Sequence, residues 1–208
     1  MPGRIIDTPA DLAEGALWLA THDPRLAPAL AQPLPLRRWP EGFAALLDAI
    51  IGQQVSVASA AAIRARMKAA GLFDETRVAE AHEDDLRAAG LSRQKARYAS
   101  ALARARLDYD ALRAAPDDAV VAQLVALPGI GRWTAEIYAM FSLGRADVFA
   151  PGDLALQEAA RLLLGLPERP SEKALRAIAE GWSPWRAVAA RALWAYYRQA
   201  KGREGVFE

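Results

Sequence analysis

The 208-residue chain is predicted to be all-helical, a single domain built from two helical lobes. Alanine, leucine and arginine recur three and four apart along most of its length, and no stretch alternates apolar and polar residues as a half-buried strand would. Size supports the same reading. A chain of this length with 53% hydrophobic residues can bury roughly 70% of its unfolded surface, so a core needs neither disulfide nor metal.

Thr8 and Pro9 open the first helix, which carries Leu12, Ala16, Leu17 and Leu19 and stops at Asp23-Pro24. Pro24, Pro28, Pro33, Pro35 and Pro40 bar a long helix from the next segment and predict a short helix followed by an extended connection. This connection marks the expected lobe boundary, with residues 36–114 in one lobe and 1–35 plus 115–208 in the other. Glu41 to Ile51 reads as a helix with Phe43, Leu46, Leu47 and Ile50 on its apolar face. Another runs from about Val55 to Ala70, after the short polar interruption Gly52-Gln53-Gln54. An acidic run follows Gly71, and Ser92 then opens a long helix bearing Arg93, Lys95, Arg97, Arg104 and Arg106. Pro116-Asp117-Asp118 begins a helix that ends at Leu127-Pro128-Gly129, and Arg132 to Leu143 forms the next. The last three span about Leu154 to Leu164, Ser171 to Glu180 and Pro184 to Ala200.

Composition removes several chemistries. The absence of cysteine excludes disulfides, thiolate metal sites, iron-sulfur clusters and cysteine nucleophiles. The apolar runs fall short of the ~20 residues of a membrane span, and the opening MPGRIIDTP lacks the apolar core of a signal peptide. A soluble cytoplasmic protein is expected. A net charge of +1 says little by itself, but the segregation of acidic and basic runs allows one basic face. His22 and His82 lack metal-ligand spacing and are given no catalytic role.

Leu127-Pro128-Gly129-Ile130-Gly131 places two glycines two apart at the start of a helix. Bare amides there suit an anionic oxygen such as a phosphate, although a tight turn between packed helices uses the same residues. Three segments extend the pattern: Ile51-Gly52-Gln53-Gln54-Val55-Ser56 upstream, Gly131-Arg132-Trp133-Thr134-Ala135 after the glycines, and Phe149-Ala150-Pro151-Gly152-Asp153 beyond. In this order they resemble the helix-hairpin-helix DNA glycosylases, specifically the bacterial 3-methyladenine DNA glycosylase II branch, from roughly Leu36 to the C-terminus. The resemblance implies a minimal all-helical version with its helix-hairpin-helix at about 117–143 and a DNA cleft between the lobes. The extra N-terminal β lobe of many bacterial relatives is expected to be missing, because only about 35 residues precede the motif-bearing region.

The implied activity is that of a monofunctional DNA N-glycosylase of base-excision repair. It would flip alkylated bases such as 3-methyladenine and 7-methylguanine out of duplex DNA, hydrolyse the bond to deoxyribose and leave an abasic site. Asp153 matches the family's catalytic aspartate, where an anion stabilises the cationic sugar of the transition state. An aspartate at that place is also an ordinary helix cap. Trp133 stands where strand-cleaving relatives carry a nucleophilic lysine, and an indole cannot form a Schiff base. Trp133 and Trp194 match aromatic pocket residues, which gain roughly 0.5–2 kcal/mol by stacking on a cationic base. Ile137 shares the helical face of Trp133 and implies a more open pocket, while Tyr138 points about 100° away.

Gln54, with Gln53 beside it, matches the segment that wedges into the vacated stack; a polar turn capped by Ser56 is the plainer reading. Gly129, Gly131, Arg132 and Thr134 would clamp a backbone phosphate, with Lys95, Arg93 and Arg97 as secondary contacts. Main-chain oxygens of Val125, Leu127 and Ile130 would hold a monovalent cation, Na+ or K+, and no other cofactor is required. Trp18, Trp39, Trp182 and Trp185 are expected in the core and Asp147 in a loop. The expected partner is double-stranded DNA containing alkylated bases, met by a monomer with no membrane association. Two other readings stay open: a non-catalytic helix-hairpin-helix DNA-binding or scaffolding protein, and a glycosylase for mismatched, deaminated or oxidised bases.

Overall fold

The computed structural model of the protein describes residues 3–202. They form α1 (Pro9–His22), α2 (Ala27–Leu30), α3 (Phe43–Gly52), α4 (Val57–Ala69), α5 (Glu75–Glu80), α6 (Glu83–Ala88) and α7 (Arg93–Ala105). Then follow α8 (Tyr109–Ala114), α9 (Asp117–Val125), α10 (Arg132–Phe141), α11 (Leu154–Leu164), α12 (Glu172–Ala179) and α13 (Arg186–Lys201). The protein is all-helical as expected; among the described residues the one strand-like pairing is an isolated bridge between Ile5 and Arg145. None of the described helices is long and apolar enough to cross a membrane.

Local chemistry accounts for the helix starts. Thr8, Ser56, Ser92 and Ser171 each accept a backbone amide of the first turn of α1, α4, α7 and α12, and Thr8 forms a reciprocal capping box with Asp11. The acidic stretch after Gly71 holds two short helices that periodicity alone does not reveal. Asp74 caps α5 and His82 caps α6, as Asp108 caps α8.

Two compact units divide the chain. One spans Trp39–Tyr138 and the other residues 3–38 with 139–202. In the first, α3 presents Leu46, Leu47, Ile50 and Ile51 to the core, and α7 presents Ala96, Ala99, Leu102 and Ala103, all buried. The alanines of α7 allow close packing, while its opposite face carries Arg93, Arg97 and Arg104. The expected division at residue 115 is corrected here: α9, the hairpin and most of α10 pack with α3–α8, because Gly129 is bonded to Gln53 and seated on Tyr98.

In the second unit, residues 187–194 of α13 are all buried, and α13 packs chiefly on α11, where Leu156, Ala159 and Ala160 are buried too. Close approach of α1 depends on Gly15, where a Cβ would lie 2.8 Å from Val188. Trp182 and Trp185 are core residues as expected, and Trp182 donates to the buried Asp23 at 3.0 Å. Trp39 is exposed and Trp18 half-buried, so neither belongs to the core. Trp18 stacks on His22 at 3.7 Å.

Candidate functional site

The hairpin joining α9 to α10 follows from two backbone features. The Ile130 amide donates to the Leu127 carbonyl at 3.1 Å, closing a turn whose third residue, Gly129, has φ +88°. That conformation favours glycine, and a Cβ there would overlap the Tyr98 ring and lie 2.8 Å from Tyr98 Cβ. Gly131 differs. Its φ is not positive, and a Cβ would meet nothing within 4 Å. The fold therefore demands glycine at 129 but not at 131, where the missing side chain leaves open space beside the first turn of α10. Among the described residues, neither glycine amide donates a hydrogen bond within the chain.

Side chains around the hairpin are less uniform than the sequence implied. Arg132 is exposed but lies 3.5 Å from the buried carboxylate of Glu136, one turn along α10. Thr134 is buried. Trp133 keeps 39% exposure, whereas Ile137 on the same face is buried. Tyr138 is buried too, its hydroxyl accepting the Gly42 amide at 2.8 Å, so it sets the start of α3. Burial also raises the Tyr138 pKa.

The turn between α3 and α4 is held from two sides. Gln53 Nε2 donates to the Gly129 carbonyl at 2.9 Å, which tethers this side chain to the hairpin. Gln54 is exposed, with φ +54°. A non-glycine residue in the left-handed region costs about 1–2 kcal/mol, so neighbouring bonds must impose this conformation. Lys95 supplies them. Its Nζ donates to the Ile51 carbonyl at 2.7 Å and to the Gln53 carbonyl at 2.6 Å, at the negative end of α3. Burial lowers its pKa. Lys95 is thus an internal brace and not a phosphate contact. Arg93 and Arg97 are exposed and face Glu83 at 3.7 and 3.3 Å.

The second unit carries Asp153. It caps α11, and three donors converge on its Oδ1: the amides of Ala155 at 2.9 Å and Leu156 at 3.0 Å, and the indole nitrogen of Trp194 at 3.3 Å. The preceding turn is fixed by the Asp153 amide on the Ala150 carbonyl at 3.0 Å and by Gln157 Nε2 on the Pro151 carbonyl at 2.8 Å. Asp153 keeps 8% exposure. Asp153 is therefore a helix cap, as one of its two sequence readings has it, and its carboxylate also accepts the Trp194 indole N–H. Trp194 packs on Phe141 with ring centroids 5.7 Å apart. Phe141 is backed by the buried Arg191, whose guanidinium lies 4.6 Å from the ring and donates to the Met140 and Ala187 carbonyls. Desolvation pulls the Arg191 pKa down to about 9, with repulsion from Arg38 and Arg37 adding to it.

Residues given no site role have structural ones. Asp147 lies in a turn, where it pairs with Arg186 at 2.8 Å and accepts from Ser183 Oγ at 2.8 Å. The His22 ring contacts its own helix, and His82 caps another. Among the described residues, no cluster of His, Asp and Glu could hold a metal ion.

Comparison with known proteins gives a consistent result. The HhH-GPD superfamily, described as base excision DNA repair protein, matches residues 47–184. The solved structure of a Bacillus halodurans DNA-3-methyladenine glycosidase superposes with a TM-score of 0.82 and 32% identity, over 96% of this chain and 94% of that one. DNA-3-methyladenine glycosylase 2 of Escherichia coli is 33% identical over 170 residues, which are 74% of this chain and 57% of that protein. A Mycobacterium tuberculosis protein described as a "probable bifunctional transcriptional activator/DNA repair enzyme AlkA" is 49% identical over 72 residues, 35% of this chain. The chain spans 14% of that protein's length, and little more than half of the E. coli relative.

Proposed function

Because the chain belongs to the HhH-GPD superfamily of base excision DNA repair proteins, we propose that it is a monofunctional DNA N-glycosylase releasing alkylated purines from duplex DNA. The observation that carries the reading is Asp153: a carboxylate at a helix start, with the Trp194 indole N–H aimed at the oxygen that the α11 amides already hold. A cap needs only the amides. The tryptophan adds orientation, which catalysis needs and capping does not.

The target nucleotide leaves the stack, and Gln54 fills the vacancy and offers its amide to the orphaned partner base. Trp133, which keeps 39% exposure, supplies aromatic surface to the cationic purine. As the glycosidic bond breaks, its electron pair passes to the purine and neutralises the charge that alkylation placed there, so the leaving base needs no protonation. Positive charge then develops on the sugar, where the Asp153 anion stabilises it. Water adds to the anomeric carbon, and its proton passes to Asp153 or solvent. Trp133 provides no amine for attack on the sugar, so the DNA strand stays intact.

The open space at Gly131 and the amides of Gly129 and Gly131 suit a phosphate of the damaged strand. A monovalent cation would be held by the carbonyls of Val125, at the end of α9, and of Leu127 and Ile130, at the two ends of one turn. It would supply positive charge for that phosphate. A monomer is expected.

The test is release of free base from methylated duplex DNA by the wild type and by Asp153→Asn. Asparagine also caps helices well, so the variant should stay folded and bind DNA while release falls at least about 10²-fold. Undiminished release by Asp153→Asn removes the assignment. Binding without release by the wild type leaves a non-catalytic DNA-binding protein, and nicking without added alkali contradicts the monofunctional reading.

A further inference from the structure

We propose that Lys95 is a positioning residue for base flipping: by holding the carbonyls on either side of Gly52, it sets the height and direction of Gln54. The proposal rests on the glycosylase reading above. Lys95 is the third residue of α7, and Ser92 caps that helix by accepting the Lys95 amide at 3.2 Å, so the backbone from which the side chain reaches is itself fixed. Its ammonium engages Ile51 O and Gln53 O together. The second of these belongs to the peptide plane that leads into Gln54. With that plane fixed, the φ of +54° at Gln54 determines where its side chain emerges.

The same helix face bears on the hairpin. Tyr98, one turn beyond Lys95, lies under Gly129, and Gly129 O accepts from Gln53 Nε2. The wedge turn and the phosphate-gripping hairpin are therefore braced from one helix. Insertion of Gln54 is referenced to the point where the backbone is held. Lys95 touches no substrate in this account, and it acts entirely through the turn.

A positioning role separates from a purely structural one by the state of the substrate, since a single strand presents its base already unpaired and needs no wedge. Single-turnover release is measured from one alkylated oligonucleotide, duplex and single-stranded, with the wild type, Lys95→Met and Lys95→Arg. Lys95→Met should lower the duplex rate at least about tenfold, as expected for displacement of a group by a fraction of an ångström, and keep the single-strand rate within about twofold. Lys95→Arg, which can also donate to two carbonyls, should recover most of the duplex rate. Equal losses on both substrates, or no loss on either, overturn the proposal while the glycosylase reading stands. A wild type that releases base from neither substrate overturns both. If Lys95→Met does not fold, Lys95→Arg is compared with Lys95→Gln, and the ratio of duplex to single-strand rates must fall from wild type through Arg to Gln. Equal ratios overturn the proposal.

Discussion

Replacing each hairpin glycine by alanine separates what the fold requires from what DNA requires. At Gly129 the left-handed φ of +88° costs an alanine about 1–2 kcal/mol. The added Cβ also overlaps the Tyr98 ring, and overpacking of this kind costs about 1–3 kcal/mol. The sum is a loss of about 2–5 kcal/mol. At about 2–4 °C per kcal/mol for a chain of this size, the melting temperature should drop by about 4–20 °C. Gly131→Ala meets no atom within 4 Å and has no positive φ. Its stability should stay within about 1 kcal/mol of wild type, with a slight gain from a less flexible unfolded chain. The methyl group instead occupies the space where a phosphate oxygen would approach. Losing one charge-assisted contact of about 1.5–3 kcal/mol should weaken abasic duplex binding roughly 10- to 100-fold. Calorimetry and fluorescence anisotropy measure the two effects separately. If Gly129→Ala melts with the wild type, the account of the turn is wrong. If Gly131→Ala binds DNA as the wild type does, the phosphate is not gripped there.

Trp194→Phe removes the indole donor to Asp153 Oδ1 while keeping an aromatic ring against Phe141. It should lower kcat about tenfold with little change in KM, and an effect confined to KM would show that the indole serves binding alone. Asp23 bears on acid stability. Hydrogen bonds from Arg25 first, and from Trp182, hold its carboxyl below the usual range. Its ionised form therefore contributes stability that is present above the unfolded carboxyl's pKa and lost as pH falls below about 4. Asp23→Asn should melt lower than wild type at pH 7, with the gap narrowing toward pH 2.5; a gap that does not change with pH would rule this linkage out.

Much of the helical pattern was legible because its signals lie within one or two turns. Thr8, Ser56, Ser92 and Ser171 announce helices through bonds to amides three residues away, and proline spacing accounts for the irregular connection before α3. The helices that periodicity missed, α5, α6 and α8, have six residues each, too few to display a stripe. Asp74 and Asp108 were the available signals, as capping residues ahead of short apolar segments. For the site, motif order singled out Asp153, Trp133, Trp194 and Gln54 as candidates.

Residue types, caps and periodicity in the linear chain thus establish an all-helical protein, and its motifs, with a capping aspartate after Pro-Gly, resemble those of DNA glycosylases. What folding added is the set of bonds that aim these groups. Gln53 reaches Gly129 across 76 residues, Lys95 reaches Ile51 across 44, and Trp194 reaches Asp153 across 41. The same long-range packing turned Lys95 from a surface cation into an internal brace and moved the hairpin into the unit of α3–α8. Hydrogen-bond partners so far apart leave no periodicity and no local propensity in the sequence, because they meet only when apolar burial brings their helices together.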